Sequence, residues 1–230
     1  CNNFLLKKEV IEHDYLSQHP DENNQLYPNL NDPNFIIKIA EKKEFNDTKY
    51  DGEIHDIKTY SEVLSNAGYE LAPHQMFVKN FLSFQTPYNS LLLYHQLGTG
   101  KTCSAIGVCE EMRDYSKQIG MQKRIIIVAS PNIQENFRLQ LFDPSKLKLE
   151  NGLWNIQGCT GNKLIKAINP MNIKDISREK VISQINTLIN SSYLFLGYDS
   201  FANYIIRVSN VKNNTTKKQA LRNLRNEFNN

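Results

Sequence analysis

The residues best equipped to do chemistry stand together in Gly98-Thr99-Gly100-Lys101-Thr102. The apolar run Ser90-Leu91-Leu92-Leu93-Tyr94-His95 precedes them, and a helical stretch from Cys103 follows. A strand, a glycine turn and a helix in that order present backbone N–H groups to a phosphate at the positive end of the helix. Lys101 adds a point charge for β- and γ-phosphates, and the Thr102 hydroxyl suits a Mg²⁺ ion. The cluster predicts binding of a nucleoside triphosphate. Gly98, Thr99, Gly100, Lys101, Thr102 and Cys103 form the phosphate cradle, with Lys101 and Thr102 as the catalytic pair. The usual phosphate-loop pattern is GxxxxGK[ST], and here His95 stands where its first glycine would be.

Two flanking features narrow the class. Gln75 lies upstream in Pro73-His74-Gln75. A glutamine carboxamide both donates and accepts, so it can read adenine N6–H and N7, which points to ATP with Mg²⁺. Tyr69 either helps hold the base or simply packs. The second feature is Ser130-Pro131-Asn132, at the carboxyl end of the β-branched run Ile125-Ile126-Ile127-Val128-Ala129. Ligands of open α/β sheets gather at that edge. The loop is a candidate ligand contact, with an ordinary turn capped by Asn132 as the plainer alternative.

The surrounding pattern has to position these residues. Phe77, Val78, Phe81 and Leu82 repeat at helical spacing after Pro73, which suits a first helical turn. The continuous run at 125–129 reads as a strand buried on both faces, as in parallel sheets. With a strand at Leu91–His95 and a helix to about Lys117, residues 90–130 are expected to form a right-handed βαβ unit. Further on, Trp154–Cys159 suggests a strand and Lys163–Ile168 a short helix. Ser177–Asn190 suggests a longer helix, and Tyr193–Tyr198 a buried strand with Asp199-Ser200 opening a helix. Ahead of the core, Phe4–Tyr15 is a short helical candidate and Phe35–Lys43 an amphipathic piece.

Composition sets outer bounds. The chain has 230 residues, 40% hydrophobic, and a formal charge of only +3, so any nucleic-acid surface is a local patch. The basic residues of 207–225 are one such patch, or a solvated insertion. Cys1, Cys103, Cys109 and Cys159 show no metal-ligand spacing and read as reduced thiols of an intracellular protein. The five histidines are scattered likewise. No apolar run approaches the ~20 residues that span a bilayer, so no membrane partner is expected.

These motifs resemble those of superfamily 2 helicase-like ATPases of large DNA viruses. Leu91 to Thr102 is similar to their LLLFHxxGxGKT form, which makes His95 a family trait. Gly197-Tyr198-Asp199-Ser200-Phe201-Ala202-Asn203 is similar to the GYxxFxN stretch of giant-virus members, and Tyr27–Phe45 resembles their pre-helicase region. The likeness covers roughly residues 70–205. It implies an α/β fold: a RecA-like P-loop domain, its parallel β-sheet flanked by helices, incomplete at its C-terminal end and preceded by a polar N-terminal extension. The implied division is 1–60 extension, 61–206 first RecA-like ATP-binding domain in part, and 207–230 polar basic tail or insertion. The resemblance further implies Gln75 as adenine reader, Ser130, Pro131 and Asn132 on RNA or DNA, the viral transcription machinery as a partner, and location in the virion or a cytoplasmic viral factory.

The family's hydrolytic DExH or DExD box has no counterpart. The only Asp-Glu pair is Asp21-Glu22, far upstream of the loop. The chain is therefore expected to be the front part of a longer helicase, binding nucleotide weakly and hydrolysing it poorly alone. The rival readings are another P-loop class such as a nucleotide kinase or GTPase, a duplex-DNA translocase of the chromatin-remodeller type, and a non-catalytic nucleic-acid or protein interaction module with a vestigial loop.

Overall fold

The computed structural model describes residues 26–54, 56–66, 69–121, 123–209 and 217–228. Helix candidate Phe4–Tyr15 and the Asp21-Glu22 pair lie outside them. The chain divides into two units, Cys1–Tyr115 and Ser116–Asn230.

In the first unit, aromatic side chains at helical spacing build the core. Helices α1 (Phe35–Glu41) and α2 (Lys43–Asn46) pack on α4 (Pro73–Phe81), with α3 (Ile57–Asn66) between them in sequence. Ile39, Phe45, Phe81 and Tyr88 are buried together, and Tyr27, Phe35, Phe77 and Leu82 close around them. The rings of Phe81 and Tyr88 stack at 4.5 Å and 7°. Phe35 meets both edge-on, at 6.4 Å and 5.5 Å, the arrangement that ring quadrupoles favour. Polar ties hold the segment ahead of α1. The Tyr88 hydroxyl donates to the carbonyl of buried Pro28 at 2.7 Å. The Tyr27 hydroxyl donates to Glu44 at 2.6 Å. Burial, followed by that carboxylate, pushes Tyr27 up to about 12, while the same bond draws the Glu44 carboxyl below its usual range.

Helix α4 opens with Ala72 at its N-cap and Pro73 in its first turn. Pro suits that position because its missing N–H is one that no helix carbonyl would take. Helix α5 (Lys101–Gln118) is the longest of the described residues. Within the first unit it is tied to the α4 region by the Lys79–Glu111 ion pair at 3.2 Å and by the stack of Phe84 on Tyr115. Its buried Glu110 takes a forked bond from Arg113 Nε and Nη2, at 2.7–3.1 Å.

The expected strand at Leu91–His95 is not formed. A strand exists only through a hydrogen-bonded neighbour, and among the described residues none pairs with this run. Leu92 is 85% and Tyr94 93% exposed. The expected βαβ unit therefore lacks its first strand.

The second unit does contain a parallel pair. β1 (Ile125–Val128) lies beside β4 (Tyr193–Leu196) in the register Ile125 to Tyr193 through Val128 to Leu196, and Ala129 N–H extends the ladder to Leu196 carbonyl. The β-branched run at 125–128 suits a strand, but all four residues are half-buried rather than buried on both faces as expected, the sheet having two strands among the described residues. Between these strands come α6 (Pro131–Leu141), a hairpin of β2 (Leu147–Glu150) and β3 (Leu153–Ile156), α7 (Lys163–Ile168) and α8 (Arg178–Ser192). Val181, Ile185 and Ile189, at helical spacing on α8, are buried with Leu141, Leu164 and Tyr193. The hairpin turns at Asn151-Gly152, both with positive φ (53° and 78°), the backbone that a two-residue turn between twisted strands needs. Trp154 on β3 donates its indole N–H to the Ile176 carbonyl at 2.8 Å, a structural tie.

After β4, α9 (Tyr198–Ser209) and α10 (Lys217–Phe228) pack on each other. Lys123 Nζ donates to the Asn226 and Glu227 carbonyls at the end of α10, at 2.9 and 2.7 Å, where a cation suits the negative helix end. Cys103 and Cys159 are each disulfide-bonded, which departs from the all-thiol expectation. Cys109 is a free thiol that burial pushes up to about 12.

Candidate nucleotide-binding site

Gly98 and Gly100 carry φ of +85° and +76°, left-handed values that cost a side-chain-bearing residue about 1–2 kcal/mol. They bracket Thr99, and α5 starts at the next residue, Lys101. The loop thus delivers its amides to the positive end of a long helix. No left-handed φ occurs at His95. A histidine can therefore occupy the position where the general motif has a glycine, because here the turn depends on Gly98 and Gly100.

Lys101 bends back across the loop. Its Nζ donates to the carbonyls of His95 at 3.0 Å and Gln96 at 2.7 Å. Thr102 and Cys103 follow on the first turn of α5, half-buried, and Ser104 N–H bonds the Gly100 carbonyl at 3.0 Å. The Thr99 hydroxyl donates to Gln96 carbonyl at 3.0 Å.

Gln75 is buried against this loop at 7% exposure. Its Oε1 accepts from Ala72 N–H at 3.0 Å, and its Nε2 donates to Gly100 carbonyl at 3.3 Å. A carboxamide offers two N–H groups and two lone pairs, so one of each is used and one of each is left. Sequence reasoning singled out Gln75 but missed its contact with Gly100. It also missed neighbouring His74, whose Nε2 bonds the Thr99 carbonyl at 2.8 Å. The Pro-His-Gln spacing carries the available signal: two polar side chains in the first turn of a helix.

The approach of Gln75 is close. A Cβ added to Gly100 would stand 2.3 Å from Gln75 Nε2. Gly100→Ala is expected to destabilise the chain by about 2–3 kcal/mol, the left-handed strain plus the displaced Gln75 bond. In a Gln75→Ala background the same substitution costs only the strain, so the cycle shows a coupling of about 1 kcal/mol in urea denaturation. Strictly additive effects would remove the contact from the account.

Donor set and backbone together fit a triphosphate with its Mg²⁺: successive loop amides, one ammonium and one helix-start hydroxyl. At Gly98 no atom lies within 4 Å of an added Cβ, so the loop's outer side is open to a ligand. Among the described residues no group of His, Cys, Asp or Glu is placed to hold a metal by itself, and no helix is long and apolar enough to cross a membrane.

The second predicted constellation lies in the other unit. Ser130 is the N-cap of α6 with no side-chain cap bond, and Pro131 opens the helix. Pro131 and Asn132 are exposed. Asn132 does not cap the turn, as the plainer alternative had it. Gln134 instead donates to the Ala129 carbonyl at 2.7 Å. Pro131 and Asn132 are thus offered to solvent at a helix start, beside a half-buried Ser130.

No known family profile matches the chain, and no solved structure matches it. Curated proteins do. A protein of Acanthamoeba polyphaga mimivirus, provisionally named an ATP-dependent RNA helicase, is 36% identical over 115 residues, 50% of this chain and 18% of its own length. A provisionally named helicase of Frog virus 3 is 30% identical over 138 residues, 59% of this chain and 12% of its own. The early transcription factor large subunit homolog of African swine fever virus is 28% identical over 117 residues, 39% of this chain and 10% of its own. The chain spans less than a fifth of the length of these relatives. Over the part that aligns, its homologues carry the names of helicases and of a transcription factor subunit homolog of giant and other large DNA viruses.

Proposed function

We propose that this chain carries the ATP-binding motifs of a nucleic-acid-dependent ATPase of the superfamily 2 helicase type, acting in viral transcription. The observation that carries the reading is the left-handed Gly98 and Gly100 opening an 18-residue helix at Lys101-Thr102. The names of the aligned relatives support it.

The roles follow from chemistry. Amides from Gly98 to Cys103 hold phosphate oxygens, Lys101 neutralises their charge, and Thr102 offers its hydroxyl to Mg²⁺. Gln75 uses its remaining donor and acceptor on adenine. Ser130, Pro131 and Asn132 meet the phosphodiester backbone of RNA or DNA, since a helix start attracts phosphate and contacts there position a strand without reading bases. When bound, ATP supplies the free energy of a phosphoanhydride bond, which the whole protein would couple to movement along nucleic acid. The early transcription factor homolog among the relatives favours the transcriptional setting.

Calorimetric titration with Mg-ATP and Mg-GTP tests the site. Mg-ATP is expected to bind tighter than Mg-GTP by about thirtyfold, two hydrogen bonds' worth, and Gln75→Ala is expected to erase the difference. Equal affinity for both in the unaltered chain would favour another P-loop class. No uptake of either would overturn the reading.

A further inference from the structure

We infer that His74 is a positioning residue of the phosphate loop, keyed by Tyr50, and that it presents the Gly100 amide to the nucleotide's phosphates. The inference rests on the nucleotide-binding reading above and deepens it.

The hydrogen bonds determine the state of the imidazole. A carbonyl oxygen only accepts, so the His74 Nε2 facing Thr99 carbonyl at 2.8 Å carries a proton. In the neutral ring Nδ1 is then the acceptor, and the Tyr50 hydroxyl lies 2.5 Å from it. The Tyr50 ring runs nearly parallel to the imidazole, at 15°. On another side the His95 ring meets His74 edge-on, with centroids 5.7 Å apart and planes at 79°. His95 Nδ1 is buried without a hydrogen-bond partner, so it does not compete for either nitrogen of His74. Two rings thus flank the imidazole, and one hydroxyl fixes its tautomer.

What this holds is a peptide plane. In a trans peptide the C=O and the next N–H point to opposite sides. Anchoring the Thr99 carbonyl on His74 therefore directs the Gly100 N–H away from α4. The next residue of the same helix turn repeats the device. Gln75 holds the Gly100 carbonyl, which directs the Lys101 N–H the same way. Consecutive side chains of α4 thus clamp consecutive peptides of the loop. The Gly100 carbonyl is also held by Ser104 N–H of α5 at 3.0 Å, so the plane that depends on the clamp is Thr99–Gly100, in a turn whose Gly98 and Gly100 backbones are intrinsically free to reorient. Without the clamp, that freedom has to be given up when phosphate binds.

Calorimetry on the full 230-residue chain with Mg-ATP tests the inference, with Lys101→Ala as the reference for lost binding. His74→Ala is expected to weaken Mg-ATP about 5- to 10-fold, one hydrogen bond's worth. His74→Gln, which can still offer an N–H to Thr99, recovers most of the loss. Tyr50→Phe weakens binding about 2- to 3-fold, and the Tyr50→Phe/His74→Ala pair is no worse than His74→Ala alone, because Tyr50 acts through His74. Should His74→Ala fail to fold, Tyr50→Phe decides: it binds more weakly than the unaltered chain if the clamp is right. Unaltered affinity in His74→Ala or in Tyr50→Phe, or a double variant that loses the product of both effects, overturns the clamp. An unaltered chain that takes up no nucleotide overturns the underlying reading instead. The imidazole nitrogen spectrum of the unaltered chain is independent of nucleotide. It should show His74 protonated at Nε2 and bare at Nδ1, and the opposite tautomer overturns the clamp on its own.

Discussion

Lys101→Ala is expected to weaken Mg-ATP binding by about a hundredfold or more. A hydrogen bond from a charged donor contributes about 1.5–3 kcal/mol, and an ammonium facing two phosphates makes more than one. The gross loss of about 3–6 kcal/mol is reduced because the bound ammonium must give up the His95 and Gln96 carbonyls it holds at 3.0 and 2.7 Å. About 3 kcal/mol remains, or more than a hundredfold in affinity. The fold itself should be little affected, since one of the two carbonyl contacts is at the exposed surface and water can replace it. Calorimetry and a melting curve on the same sample separate the two effects. Affinity within threefold of the unaltered chain would mean that the loop is vestigial.

Phe81→Ala carries the largest expected cost in stability. Phe81 is 6% exposed, stacks on Tyr88 and Phe77, and touches Phe35 and Phe45. Truncating such a ring typically costs about 3–5 kcal/mol, a large share of the ~5–15 kcal/mol that holds a domain together. The melting temperature should fall by about 10 °C or more. Nucleotide affinity should fall with it, because α4 ends at Phe81 and begins at the residues that hold the loop. A drop of only a degree or two would show that the aromatic cluster is not the cohesive core of the first unit.

Local patterns were readable from the residues wherever local physics decides the outcome. The glycine turn, the β-branched run at β1, the α7 helix and the apolar stripe of α8 all stand where periodicity and capping put them, while α5 starts two residues ahead of the expected Cys103. The run Leu91–His95 also reads as a strand but forms none among the described residues, because pairing is a property of two segments and propensity of one. The β2–β3 hairpin carried a readable signal in Asn151-Gly152, yet Lys148 and Glu150 left β2 too polar to stand out. Helix α10 hides for a similar reason: its polar composition masks an amphipathic period. At the proposed site, residue types pointed to Gln75, Lys101 and Thr102, and the structure places Gln75 against the loop that leads into Lys101 and Thr102. The His74 contact needed coordinates, since nothing in a sequence says that position 74 lies beside the carbonyl of position 99.

On the proposed reading, the internal bonds of Lys101 make nucleotide uptake an exchange. Phosphate oxygens compete with two backbone oxygens of the same loop for one ammonium. Measured affinity is then a difference between two sets of bonds, and it can be tuned without touching any atom that meets the nucleotide. A change that firms the grip of the His95 and Gln96 carbonyls lowers affinity, and one that loosens it raises affinity. Leu91, Leu92 and Tyr94, all exposed, lead directly into those carbonyls, so substitutions in that run are expected to shift nucleotide affinity through the lysine.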